Sequence, residues 1–121
     1  MMNKLDTGKR AEHLACQFLQ EKGLKFLQQN YRCHHGEIDL IMQDREDIVF
    51  VEVRSRNHME YGSALESISQ SKIKKLIRTA THYLQRTNCL YKVTSRFDII
   101  AIDLINGALH PEWIKNAFET L

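Results

Sequence analysis

Between Gly36 and Arg54 the chain reads G-E-I-D-L-I-M-Q-D-R-E-D-I-V-F-V-E-V-R. Two apolar, β-branched runs, Gly36 to Met42 and Ile48 to Arg54, flank the polar stretch Asp44-Arg45-Glu46-Asp47. Runs of strand length joined by so short a polar loop specify an antiparallel hairpin. Side chains alternate along a strand, so Glu37 and Asp39 are expected on one face. If Gln43 pairs with Ile48, the register sets Asp39 across from Glu52 and Glu37 across from Arg54, with Cβ atoms about 5 Å apart. A slip of one residue would undo that arrangement.

The rest of the chain supplies layers for this hairpin. Ala11, Leu14, Ala15, Phe18 and Leu19 recur with helical spacing and predict a helix from Thr7 to Lys22. Asp6 or Thr7 is the candidate N-cap and Gly23 the stop. An extended segment, Leu24 to Arg32, follows. A second helix is predicted from Ser69 to Gln85, with Ile73, Leu76, Ile77, Ala80 and Leu84 on its apolar side. Phe97 to Ile105 reads as a strong strand, and Asn106-Gly107 as a turn. The stretch Trp113 to Phe118 is expected to lie as an amphipathic tail on the sheet. This order implies an α/β fold, a mixed β-sheet flanked by helices, with residues 1–121 as one domain.

Composition narrows the function classes. Hydrophobic residues make up 43% and charged residues 26%, ordinary for a soluble globular chain. No apolar run approaches the roughly 18 residues of a membrane helix. The opening M-M-N-K-L-D-T-G-K-R lacks a signal-peptide core, so a cytoplasmic protein without membrane contact is expected. Cys16, Cys33 and Cys89 are odd in number and form no CxxC pair, which fits reduced thiols.

Two carboxylates side by side on strands repel each other unless a cation joins them or one is protonated. Hard oxygen ligands with open positions suit Mg²⁺, or Mn²⁺, which uses one or two carboxylates plus substrate phosphates. A carboxylate set among Val49, Phe50, Val51 and Val53 is an odd choice for solubility alone. Spacing by itself is satisfied equally well by the exposed face of an amphipathic hairpin, with Glu37 bridged to Arg54 and Glu52 to a lysine. The second helix also carries Lys72, Lys74, Lys75, Arg78, His82 and Arg86 away from its apolar stripe. Such a face is either plainly solvated or tracks a phosphate backbone. Lys9, Arg10, Arg32, Arg54 and Arg56 extend it. Cys33-His34-His35 is read as a polar loop near the cleft, because adjacent residues seldom converge on one metal ion; His34 or His35 can still touch a phosphate. Arg96 and Asp98 are expected to form a structural ion pair, with Asp98 and Asp103 on opposite faces of their strand.

Gly36-Glu37-Ile38-Asp39-Leu40-Ile41 followed by Val51-Glu52-Val53-Arg54 resembles the PD-(D/E)xK signature of restriction-endonuclease-like nucleases. More closely, the chain resembles the YraN-like family, related to archaeal Holliday-junction resolvases. The likeness includes Gly8-Lys9-Arg10-Ala11-Glu12, Asn30-Tyr31-Arg32, Tyr61-Gly62, Lys72, Arg96-Phe97-Asp98 and Asn116-Ala117-Phe118. It implies a restriction-endonuclease-like fold in which Asp39 and Glu52 bind the metal and Glu12 completes the shell. Arg54 stands where the superfamily motif has lysine. Arginine stays protonated and acts only as a cation and donor. The resemblance implies a Mg²⁺-dependent endonuclease acting on DNA, with Asp39, Glu52, Arg54 and Glu12 catalytic and Lys72, Lys75, Arg32 and Arg56 docking the nucleic acid. A homodimer suits cleavage of both strands. The competing readings are a non-catalytic nucleic-acid-binding module of the same fold and a protein-interaction domain.

Overall fold

The computed structural model describes residues 4–57 and 64–118. The elements run α1 (Lys4–Glu21), β1 (Lys25–Cys33), β2 (Gly36–Asp44), β3 (Asp47–Asn57), α2 (Gln70–Arg86), β4 (Ser95–Ile105) and β5 (Ala108–Phe118). The strands form one mixed sheet in the order β1-β2-β3-β4-β5. All neighbours are antiparallel except β3 and β4, which are parallel and are linked in sequence by the segment that contains α2. A parallel pair needs such a long connection, because a hairpin cannot join it. This α/β architecture, a mixed sheet flanked by helices, is consistent with the restriction-endonuclease-like fold.

The two helices cover opposite faces. Ala11, Ala15 and Leu19 of α1 pack on Leu40, Met42, Val49, Val51, Ile100 and Ile102. Leu76, Ala80, Tyr83 and Leu84 of α2 pack on Tyr31, Ile38, Ile41, Phe50 and Phe97. Interior strand β4 is buried from Phe97 to Ile102, which explains the apolar run Ile99 to Ile102 in place of alternation.

The expected hairpin forms in the expected register: Gln43 pairs with Ile48 and Leu40 with Val51. The turn is tighter than expected, since Asp44 and Asp47 themselves pair and Arg45 takes φ 58°. Asn106 and Gly107 both have positive φ, 51° and 80°, as a two-residue turn between twisted strands requires. Ser69 caps α2, its Oγ accepting from the Lys72 N–H at 3.1 Å.

The extended segment expected after α1 forms as strand β1, paired with β2. Two expectations need correction. Helix α1 already includes Lys4, so Asp6 and Thr7 lie within it rather than capping it. Trp113 to Phe118 is no separate tail but the end of β5, hydrogen-bonded beside β4. Its interrupted apolar pattern reflects an edge strand, buried on one side only.

Arg96 ties the sheet together as expected. Its Nε lies 3.0 Å from Asp98 Oδ1, and its Nη2 donates to Asp44 Oδ2 at 3.0 Å in the β2–β3 turn. Asp98 is fully buried and also accepts from Trp113 Nε1 and the Asn116 N–H, each at 2.9 Å. Asp103, on the other face, is bonded to Arg56.

Candidate metal and nucleic-acid site

The site begins with an irregularity in β2. Ile38 packs on the α2 side while Leu40 packs on the α1 side, although residues two apart on a regular strand share a face. Opposite this skip in β1 sits Asn30, in the left-handed region at φ 52°. An asparagine tolerates that conformation better than most residues. The β2–β3 ladder runs only to Leu40 and Val51. Beyond it the Asp39 carboxylate takes over as partner of β3, with Oδ2 accepting from the Val53 N–H at 2.8 Å. Asp39 therefore stands where the two strands part.

Glu52 lies next to it. Only 6% of the residue is exposed, and Oε2 is buried with no hydrogen-bond partner. The Lys72 Nζ is 3.5 Å from that oxygen, close enough for an ion pair but forming no hydrogen bond with it. Burial, and then hydrogen bonding to Asp39 and repulsion from its charge, push the Glu52 carboxyl up to about 8; Lys72 and Arg54 oppose the rise. The rise favours the protonated form of Glu52, hydrogen-bonded to Asp39.

Glu12 reaches toward the same place from α1. Its carboxyl is also raised, by burial first and then by the charges of Asp39 and Glu37. With its amide nitrogen turned to the two acids, Asn30 donates to Glu12 Oε2 and to Glu37 Oε1, each at 3.2 Å. Four carboxylates thus gather around the parting of β2 and β3, with Asn30 and Lys72 offsetting their repulsion. Among the described residues, however, no three His, Cys, Asp or Glu side chains converge as a ready metal cage. Asp39 and Glu52 form the close pair, and Glu12 is held by Asn30 beside it.

Other expected contacts fall differently. Glu37 does not face Arg54, because the ladder ends before it; it pairs instead with Arg32 across β1, at 3.2 Å. Arg54 extends its Nη2 to the Ser67 carbonyl, 3.3 Å away, rather than to a carboxylate. Arg56 is no open phosphate contact: Asp103 and Glu112 hold its guanidinium, the latter at 2.8 Å, and its side chain is only 19% exposed. Lys75 is exposed, as expected of a docking residue. Lys72, read from sequence as a docking residue, sits at the acidic pair. Tyr61-Gly62 lies outside the described residues. The role of Asn30 was missed. Only its place in Asn30-Tyr31-Arg32 marked it, because a left-handed strand residue has no periodic signature.

The fold and this cluster define a class: a small mixed α/β protein with a buried carboxylate pair where two central strands part. Residues 11–102 match the family described as "Uncharacterised protein family UPF0102". The chain belongs to that family. It is 48% identical to a UPF0102 protein of Nitrosococcus oceani over 113 residues, 93% of this chain and 91% of that one. It is 45% identical to relatives from Pseudomonas aeruginosa, covering 94% and 93% of the two chains, and from Legionella pneumophila, covering 94% and 95%. No helix among the described residues is long and apolar enough to cross a membrane.

Proposed function

We propose that this protein is a cytoplasmic, divalent-metal-dependent nuclease that hydrolyses DNA phosphodiester bonds, acting at branched or damaged structures. The observation that carries the reading is the Glu52 carboxylate, buried beside Asp39 with Oε2 lacking a hydrogen bond. Burying a carboxylate is costly unless it is paired, protonated or bound to a metal. The donor set suits Mg²⁺ or Mn²⁺: two hard oxygens, which leave the remaining coordination positions to water and phosphate oxygens.

Asp39 and Glu52 would hold the cation, with Glu12 approaching from α1. The cation would supply charge neutralisation at the phosphate and a more acidic bound water. Asp39 is fixed by the Val53 N–H, so one ligand is positioned before any metal arrives. Lys72 brings a positive charge beside the pair, where a phosphate can meet it. Lys75 and Arg32 lie outside the pair and would dock the backbone without reading sequence. Action on both strands of a duplex would call for a homodimer.

A second reading, a non-catalytic nucleic-acid-binding module, is favoured by one observation. Lys72 already partners Glu52, and Arg54 is engaged with the Ser67 carbonyl. Incubation with linear, nicked, flapped and four-way DNA in Mg²⁺ or Mn²⁺ separates the two. Metal-dependent cleavage lost in Asp39→Ala supports the nuclease. Binding to the same panel without cleavage under either metal supports the module.

A further inference from the structure

The turn between β1 and β2 lies against α2. A Cβ placed on Gly36 would lie 3.1 Å from Thr79 Oγ1 and 3.7 Å from the Lys75 Cβ, so the turn backbone approaches the helix closely. This contact brings three histidines together. The rings of His34 and His35 are 3.9 Å apart between centroids, and His82 of α2 lies 6.1 and 6.4 Å from them. The Tyr31 hydroxyl is hydrogen-bonded to Nδ1 of His82 and fixes that ring.

The surroundings are cationic. Arg78 of α2 is exposed and, with His34 and His82, acts on His35 by charge; burial and these three groups hold the His35 imidazole below its ordinary value. Among the described residues no carboxylate pairs with His34, His35, His82, Arg78 or Lys75. The nearest acid in the sequence, Glu37, is committed to Arg32 and Asn30. Three imidazoles and a guanidinium gathered without an anion repel one another once protonated. The component that would relieve this repulsion is an anion with several acceptor oxygens. A metal ion suits the cluster less well, since no three ligating side chains among the described residues converge on a point.

We propose that His34, His35, His82 and Arg78 form a phosphate-binding site, distinct from the acidic pair, that takes up protons as the phosphate binds. The phosphate is either free or part of a nucleic-acid backbone, and the latter case rests on the nucleic-acid reading above. Tyr31 is the positioning residue for His82. Arg78 supplies a permanent charge, and the His35 imidazole, held below its ordinary value, gains its own when the anion arrives. Binding is therefore linked to pH, strengthening as pH falls by at most about tenfold per pH unit for each proton taken up.

Two arms test this. In the first, the imidazole protons of the full chain are titrated by NMR in chloride and in inorganic phosphate at matched ionic strength. Phosphate should move the His35 titration to higher pH and shift the ring resonances of His34 and His82, while those of His110, on β5, stay in place. An unmoved His35 titration overturns the site. So does a response of these rings to Zn²⁺ with none to phosphate, which would assign them to a metal. In the second arm, fluorescence anisotropy follows a labelled DNA duplex. Affinity should rise about tenfold from about pH 8 to about pH 6. The His34→Gln/His35→Gln variant should keep less than about twofold of that gain, and His110→Gln all of it. An equal gain in the double variant overturns the assignment. A positive phosphate arm without DNA binding at any pH supports the site for free phosphate and defeats the nucleic-acid reading alone.

Discussion

Replacing Glu52 by glutamine should make the protein more stable at pH 8 and nearly unchanged at pH 5. Glu52 is almost fully buried, and its carboxyl is raised from the ordinary 4.5 to about 8. A folded-state value above the unfolded one means that the folded chain holds a proton the unfolded chain has released. Stability from this group is complete below about pH 4.5 and falls as pH rises toward about 8, by about 1.4 kcal/mol per pH unit. Across the whole window the loss is bounded at about 5 kcal/mol. Half of that bound corresponds to roughly 10 °C in Tm for a domain of this size. Glutamine keeps the shape, cannot ionise, and donates to Asp39 as the protonated acid does. Thermal melts of wild type and Glu52→Gln from pH 5 to pH 8 should therefore diverge with rising pH, the variant melting higher. Parallel profiles would refute the description of Glu52 as a buried, protonated partner of Asp39.

Lys72→Ala should shift the Glu52-linked part of the same melting profile to higher pH, because Lys72 is one of the two cations that hold the carboxyl down. It should also reduce the slope of log affinity for DNA against log salt by about one. Arg56→Ala should leave that slope unchanged in anisotropy titrations, since Asp103 and Glu112 already occupy the guanidinium. Asp98→Ala should cost about 3–5 kcal/mol in urea denaturation, because it removes the fully buried acceptor shared by Arg96 Nε, the Trp113 indole N–H and the Asn116 N–H.

Much of this architecture is legible in the residues. Apolar spacing located both helices, and the polar loop at residues 44–47 fixed the hairpin register where the two strands ladder. Asn106-Gly107 announced its turn because few other pairs accept two left-handed conformations. What periodicity cannot supply is the place where it breaks. Strict alternation puts Glu37 and Asp39 on one face, whereas left-handed Asn30 accompanies a skip in β2 and turns Glu37 toward Arg32. Edge strand β5 was obscured for a related reason: its half-buried pattern serves a helix or a strand equally well. Long-range pairings such as Lys72 with Glu52 and Arg56 with Asp103 depend on how α2 and β4 meet β3, which no local window contains.

In the proposed function a divalent cation takes the place of the Glu52 proton beside Asp39. Calorimetric titration of Mn²⁺ at neutral pH, with DNA present and in two buffers of different ionisation enthalpy, measures binding and proton release together. Wild type should bind the metal and release about one proton per ion, because metal ligands must be deprotonated. Asp39→Ala should bind none, and Glu52→Gln should bind weakly if at all, without proton release. Equal Mn²⁺ affinity in wild type and both variants, or binding by wild type without proton release, would contradict the account.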